Sequence, residues 1–192
     1  FLAALCRYGA SAAFLGKVGE DAFGRLLLES LRRAGVQTRG IRLTSSAFTT
    51  LAFVTLDAAG DRSFSFARKP GADAQRRWEG VDRCLIRRCR LFHFGSLSLT
   101  DEPARSATRA AVAYARELGR TVTFDPNLRP QLWPDRETMT RFVNALAARA
   151  ALFLPGIAEG QTLTGARTCE EIAAFYLCLG AQPDVVQHGS PG

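Results

Sequence analysis

The densest set of chemically useful side chains lies in residues 125–130 (DPNLRP), directly after the β-branched, strand-like run Thr121–Phe124. Arg129 offers a planar guanidinium fork for a phosphate or a carboxylate. Asp125 and Asn127 can hold water or a metal ion beside that anion. The alternative is an Asx-type turn in which Arg129 pairs with Asp125. Such a turn needs neither the arginine nor two stiffening prolines, so the pattern favours an anion site.

Two other segments carry residues suited to a ligand. Gly95 follows the strand-like run Leu91–Phe94 and permits close approach of the backbone, as the wall of a substrate pocket would require. Arg68 and Asp73, within residues 66–73 (FARKPGAD), can hydrogen-bond a polyhydroxylated molecule. A solvated loop is the alternative for this second segment.

A glycine-rich run, residues 16–24 (GKVGEDAFG), opens a predicted helix and raises the question of a phosphate cradle. It matches neither G-x-x-x-x-G-K-[ST] nor G-x-G-x-x-G, and the carboxylates of Glu20 and Asp21 would repel a phosphate. We therefore predict a structural turn with a helix cap. Glu159 follows another predicted strand, and taken alone it is expected to be a surface residue.

These candidates lie at the ends of strand-like runs that alternate with helical periodicity. Strands joined by helices of this length imply right-handed crossovers and a largely parallel sheet. Ligands of such sheets bind outside the carboxyl ends of the strands, so polar residues there are the first functional candidates. The predicted strands are 12–18, 91–94, 121–124, 151–154 and 184–187, and the predicted helices are 23–34, 103–118, 139–150 and 172–179.

Residues 38–68 break this alternation. Three strand-like runs follow one another there with no helix between them, and a short turn makes the last two a hairpin. The strict alternation in residues 63–66 (SFSF) is typical of a sheet with one solvated face. We predict an α/β body formed by residues 1–37 and 69–192, with residues 38–68 as a small β lid.

The composition argues against membrane-spanning, disulfide-rich, zinc-binding and nucleic-acid-binding proteins. The 192 residues are 47% apolar, enough for one domain with a real core, and no apolar run is long enough to span a membrane. The five cysteines form no C-x-x-C pair, so neither a disulfide framework nor a zinc site is expected, and reduced thiols indicate a cytoplasmic protein. The net charge of +7 comes with no nucleic-acid motif, so nucleic acid is not an expected partner.

Both ends of the chain look like interior sequence. Phe1 begins an apolar helical pattern with no initiating methionine and no secretory signal. The chain ends at Gly192, shortly after the last predicted strand, with no helix to cover that strand. We therefore expect the fold to be truncated at both ends.

In order and spacing, these segments resemble the ribokinase-like (pfkB-type) carbohydrate kinases, in particular the fructokinase branch. Residues 19–24 (GEDAFG) are similar to the family's V-G-x-D-x-F-G turn, and residues 49–54 (TTLAFV) to a lid strand. Residues 68–73 (RKPGAD) are similar to the R-N-P-G-A-D of bacterial fructokinases. Residues 92–99 (FHFGSLSL) and 125–129 (DPNLR) also resemble that branch, and the resemblance covers nearly the whole chain.

The resemblance implies a ribokinase-like three-layer α/β sandwich with a mostly parallel central sheet and a β lid over a sugar, using ATP and Mg²⁺. It places Asp73 and Gly95, together with Arg68, at the sugar. Asp125, Asn127 and Arg129 fall near the transferred phosphoryl group, whose charge Arg129 would stabilise. Glu159 falls on the glutamate of the N-x-x-E motif, acting indirectly on Mg²⁺, and Gln187, Gly189 and Gly192 fall on the T-x-G-x-x-G nucleotide turn.

The chain also departs from the family pattern. Gly156 stands at the asparagine of N-x-x-E, and Gln187 at the threonine of T-x-G. The sugar-binding G-G-x-x-x-N motif would lie upstream of Phe1, and the G-A-G-D motif, whose aspartate is the general base, beyond Gly192. With no catalytic residue for proton removal, the chain alone is expected to have negligible kinase activity.

Two alternatives remain open at this stage. One is a nucleoside kinase of the same superfamily. The other is a non-catalytic remnant that serves as a binding or interaction module. The resemblance also implies a homodimer formed through the lid, since ribokinase-like proteins often dimerise there.

Overall fold

The computed structural model describes residues 1–56, 60, 62–69 and 71–180. The chain divides into two compact units, Phe1–Leu85 and Ile86–Gly192. Within the described ranges, no helix is both long and apolar enough to cross a membrane.

The first unit combines a parallel strand pair with an antiparallel hairpin. Strands β1 and β2 pair in parallel, with Gly16 opposite Ile41, whereas β3 and β4 are antiparallel, with Leu51 opposite Ala67. A short helix, α3, includes the boundary between the two units in the sequence. The elements are α1 (Leu2–Arg7), β1 (Gly16–Gly19), α2 (Ala22–Arg33), β2 (Ile41–Thr44), β3 (Leu51–Leu56), β4 (Arg62–Ala67) and α3 (Arg83–Arg88).

The pairing of β2 differs from the predicted lid. Residues 38–68 were expected to form one flap, but β2 pairs with β1, and β3 pairs with β4 in a separate sheet. The residues of β2 predict a strand, but a four-residue strand of mixed burial does not indicate which other strand it pairs with. The first predicted strand also begins later, at Gly16. Most of the predicted hairpin turn, residues 57–61, lies outside the described residues.

The turn before α2 is held together by a single carboxylate. Asp21 caps the helix by accepting a hydrogen bond from the Gly24 N–H at 2.7 Å, and its other oxygen accepts one from the Thr49 N–H at 2.7 Å. These charge-assisted bonds hold the pKa of Asp21 below its usual value, the Thr49 N–H being the largest cause. The predicted structural turn with a helix cap is confirmed.

The second unit is built on three parallel strands in the order β5-β6-β7. Strands β5 and β6 match their predicted bounds, and β7 is shorter than predicted. Helix α6 was not predicted, because its glycine and two threonines are weak helix formers. The predicted strand 184–187 lies outside the described residues. The elements are β5 (Leu91–Phe94), α4 (Ala104–Glu117), β6 (Thr121–Phe124), α5 (Arg136–Ala147), β7 (Leu152–Phe153), α6 (Ile157–Thr164) and α7 (Cys169–Cys178).

A row of aromatic rings crosses the carboxyl ends of these strands. Each strand ends in a buried phenylalanine: Phe94, Phe124 and Phe153. The first two rings are stacked with centroids 4.3 Å apart, and the third lies 5.2 Å from Phe124. Tyr176 of α7 meets Phe153 edge-on at 4.7 Å. Aromatic pairs contribute about 0.5–1.5 kcal/mol each beyond area burial, so this row fixes the edge from which the next loops leave the sheet.

Candidate functional site

The loops that follow β5 and β6 run side by side at the carboxyl edge of the sheet. The Asp125 N–H donates to the Phe94 carbonyl at 3.2 Å, and the Ser96 N–H donates to the Pro126 carbonyl at 3.0 Å. A Cβ added to Gly95 would stand 3.3 Å from the Asp125 carbonyl oxygen. Gly95 therefore permits a close backbone approach, as predicted, and in this structure the approaching backbone is the 125–130 turn.

The turn itself has an unusual backbone. Asn127 has a positive φ of 42°, in the left-handed region that asparagine tolerates better than most residues. Its side chain is exposed between the buried Pro126 and Leu128. Such conformations cost about 1–3 kcal/mol and cluster at ligand-binding sites. In this conformation the side-chain amide of Asn127 lies outside the packed turn and is accessible to a ligand.

The carboxylate of Glu159 links the 125–130 turn to helix α6. One carboxylate oxygen accepts a hydrogen bond from the Leu128 N–H at 2.5 Å, and the other accepts one from the Gly156 N–H at 2.9 Å. The carboxylate thus joins the amino end of α6 to the turn. Glu159 is half-buried, so the expectation of an ordinary surface residue, drawn from the glutamate alone, was wrong. Because Gly156 has no side chain, Glu159 supplies the only side-chain cap described at this helix start.

Arg129 folds back onto its own turn. Its guanidinium donates to the Leu128 carbonyl at 2.7 Å and to the Asn127 carbonyl at 3.4 Å. Asp125 is half-buried, and within the described part of the chain its carboxylate accepts no hydrogen bond. The structure therefore brings Gly95, Asp125, Asn127, Arg129 and Glu159 together in the second unit.

His93, one strand residue before Phe94, lies next to this edge. Its Nδ1 lies 2.9 Å from the Thr123 hydroxyl on the neighbouring strand. Burial lowers the pKa of His93, and the charge of Asp125 partly offsets that effect. A half-buried imidazole that pairs with a hydroxyl of the neighbouring strand fits a structural residue of the sheet.

In the first unit, Arg68 and Asp73 form a partly buried ion pair. The Arg68 side chain is 5% exposed, and its Nε and Nη2 donate to one Asp73 oxygen at 2.9 and 2.7 Å. The Thr50 hydroxyl donates to the other oxygen. Arg68 thus holds Asp73 in place and does not present its fork to a ligand. Thr50 was missed by the sequence reasoning, because a threonine in a strand is common.

The predicted nucleotide-binding residues Gln187, Gly189 and Gly192 lie outside the described residues. Their role stays a prediction.

The donor set fits a magnesium ion only in part. Mg²⁺ prefers oxygen ligands and in ATP sites is held by one or two carboxylates together with phosphates and water. The Asp125 carboxylate, with no hydrogen-bond donor on it among the described residues, suits that role. Both Glu159 oxygens are occupied by backbone N–H groups, so Glu159 fits an indirect role. In the ranges described, no group of three or more His, Cys, Asp or Glu residues could enclose a metal.

Comparison with known proteins relates this chain to carbohydrate kinases. The sequence matches the pfkB family carbohydrate kinase domain over residues 2–192. It is 42% identical to fructokinase-1 of Zea mays over 174 residues, which are 91% of this chain and 54% of that protein. It is 39% identical to fructokinase-2 of Solanum lycopersicum, with 91% and 53% coverage. The chain thus spans about half the length of the curated relatives it matches.

Solved structures agree with the sequence comparison. The fructokinase of Vibrio cholerae O395 in its fructose, ADP and calcium ion bound form superposes with a TM-score of 0.90 at 30% identity, covering 100% of this chain and 61% of that one. A PfkB protein from Polaromonas sp. JS666 gives 0.90 at 32% identity, covering 99% and 65%. Aminoimidazole riboside kinase from Salmonella enterica gives 0.84 at 26% identity, covering 100% and 61%. These neighbours confirm the predicted ribokinase-like α/β fold, and with the domain match they show that this chain belongs to the pfkB family of carbohydrate kinases.

Proposed function

We propose that this chain forms part of an ATP-dependent sugar kinase that phosphorylates a hydroxyl group of fructose. The observation that carries the proposal is the 125–130 turn at the carboxyl edge of a parallel sheet, held by Glu159 and lined by Gly95. This is the edge at which α/β sheets bind ligands, and the turn offers an arginine, an asparagine and a carboxylate that accepts no hydrogen bond from the described residues. The relatives known as fructokinases support fructose as the sugar.

Each residue has a distinct role in this proposal. Arg129 exchanges its bonds to neutral carbonyls for bonds to the transferred phosphoryl group, in which both partners are charged and the guanidinium can make a two-point contact. Asn127 donates to the same group. Asp125 would hold Mg²⁺, which neutralises phosphate charge when bound. Asp73, held by Arg68, and Gly95 contact the sugar, while Gln187, Gly189 and Gly192 contact the nucleotide.

Proton removal is the step for which the 192 residues offer no candidate. They contain no G-A-G-D sequence, and a general base contributes about 10²–10⁴ to a rate. We therefore expect the chain by itself to show negligible turnover. We further propose that the protein works in the cytoplasm, on a small sugar and ATP, without nucleic acid or membrane.

We also propose a homodimer that forms through the β3–β4 hairpin. Strand β3 exposes Phe53 (56%), Val54 (51%) and Leu56 (66%), a large apolar surface for one short strand. Because successive strand residues face opposite sides, a homodimer in which two such hairpins pack face to face would cover Val54 and Leu56.

The test is an ADP-release assay on the product of the open reading frame that contains these 192 codons. We expect turnover of fructose, and weaker turnover of ribonucleosides. Changing Arg129 to alanine should lower kcat by roughly 10²–10³-fold, the effect of removing one charge-stabilising donor. Arg167→Ala, an exposed arginine outside this turn, is the matched control and should leave kcat unchanged. A folded product that turns over no sugar would contradict the proposal, and a preference for ribonucleosides would favour the nucleoside kinase.

A second candidate, a non-catalytic binding module, is favoured by Gly156. The N-x-x-E motif has lost its asparagine there, and the amino end of α6 has no side-chain cap from that position. The coding DNA on either side discriminates between the two. In-frame G-G-x-x-x-N upstream and G-A-G-D downstream support an active kinase, whereas stop codons in their place support the binding module.

A further inference from the structure

A cavity lies at the opposite, amino edge of the β5-β6-β7 sheet. Its volume is about 310 Å³. Three arginines from three different segments meet there: Arg116 in the last turn of α4, Arg120 directly before β6, and Arg149 between α5 and β7. The remaining lining residues are small or apolar: Val122, Ala148, Ala150, Ala151 and Gly180. No carboxylate lines this cavity within the described part of the chain.

The arginines of this cavity lack ordinary partners. None of the three forms an ion pair with a described residue. The Arg120 Nε is buried and has no hydrogen-bond acceptor in the described structure. A buried donor of a charged group that is left unsatisfied is destabilising, because it has lost its hydrogen bonds to water. An acceptor that enters the cavity would remove that destabilisation.

Helix capping does not account for the cluster. The last carbonyls of α4 are already bonded to backbone N–H groups, Ala115 O to Arg120 N and Arg116 O to Gly119 N, each at 2.9 Å. At the end of α5, Leu146 O accepts from Arg149 N at 3.0 Å. Two helix carboxyl ends carry about −0.5 charge each. The three guanidinium charges exceed that total, so the cavity keeps a net positive charge.

We propose that this amino-edge cavity binds a phosphate group, either inorganic phosphate or the phosphate of a small phosphomonoester. Guanidinium forks match the oxygens of a phosphate in two-point contacts. The small side chains around them leave room for such a group with water or a short organic substituent. The site is separate from the carboxyl edge of the proposed kinase function and does not depend on that function.

Isothermal titration calorimetry with inorganic phosphate at constant ionic strength tests the site on the purified chain. We expect saturable binding. Arg120→Gln and Arg149→Gln should each weaken it by about tenfold or more, the usual effect of losing a charge-assisted hydrogen bond. Arg149 is exposed, so its replacement leaves the fold intact even where Arg120→Gln does not. Arg167→Gln, with the same charge change outside the cavity, should leave affinity within about twofold.

Three further titrations test where the phosphate binds and which ligand the cavity prefers. Arg129→Ala, at the carboxyl edge, should leave in place the phosphate binding that Arg149→Gln weakens, which separates the two sites. Glycerol 3-phosphate that binds more tightly than inorganic phosphate, with the same loss in Arg149→Gln, identifies a phosphomonoester as the ligand, and weaker binding identifies free phosphate. No saturable binding, affinity lost in Arg129→Ala but kept in Arg149→Gln, or tight binding of duplex DNA in place of phosphate would each overturn the proposal.

Discussion

One carboxylate, that of Glu159, joins two backbone segments of the candidate site. It accepts hydrogen bonds from Leu128, which is 31 residues away in sequence, and from Gly156 at the start of its own helix. A phosphate-binding turn must keep its donors in place before the ligand arrives. Because both carboxylate oxygens face backbone N–H groups, the proposed function makes Glu159 a positioning residue that acts through the turn.

Replacing Glu159 with glutamine should therefore disturb the turn. A glutamine amide has one acceptor oxygen, so its NH₂ group would face one of the two N–H donors. Leaving a half-buried donor unsatisfied costs about 1–3 kcal/mol, and we expect the free energy of unfolding to fall by that amount in urea titrations. Glu117→Gln, an exposed position on α4 with no described partner, is the matched control. Equal stability of the two variants would show that Glu159 does not hold the turn.

At the scale of elements, the turn between β1 and α2 packs more tightly than a helix cap alone requires. A Cβ added to Gly24 would stand 2.1 Å from the Gly19 carbonyl oxygen, a backbone atom. The same turn uses Asp21 to fix Thr49, the residue that leads to the β3–β4 hairpin. The glycine spacing of residues 16–24, which suggested a phosphate cradle, serves this close backbone packing.

Gly24→Ala should be strongly destabilising, although alanine favours helices. Overpacking against fixed atoms costs typically about 1–3 kcal/mol, and we expect at least that loss of unfolding free energy by urea titration. Gly80→Ala is the control, since a Cβ there would meet nothing within 4 Å. If Gly24→Ala proves as stable as Gly80→Ala, the packing account of this turn is wrong.

The elements differ in how far they could be predicted. Strands β5 and β6 are short runs of apolar, aromatic and β-branched residues, and their predicted bounds match the structure. The partner of β2 could not be read from its residues, since pairing depends on contacts remote in sequence. The same limit applies to the site. The turn residues were recognisable from their types, but the Glu159–Leu128 and Thr50–Asp73 contacts are tertiary.

For the molecule as a whole, the proposed function depends on where the phosphate binds. A kinase of the proposed kind transfers a phosphoryl group to a sugar, and the proposal assigns that group to the 125–130 turn. The amino-edge cavity, with Arg120 and Arg149, offers a second place for phosphate that must be distinguished from the first.

The most direct measurement is a crystal structure of the open-reading-frame product with fructose and a non-hydrolysable ATP analogue. The proposed function requires a guanidinium nitrogen of Arg129 to lie about 2.7–3.2 Å from an oxygen of the terminal phosphate, with its bond to the Leu128 carbonyl released. A terminal phosphate bound away from the 125–130 turn, with Arg129 still on Leu128, would contradict the account.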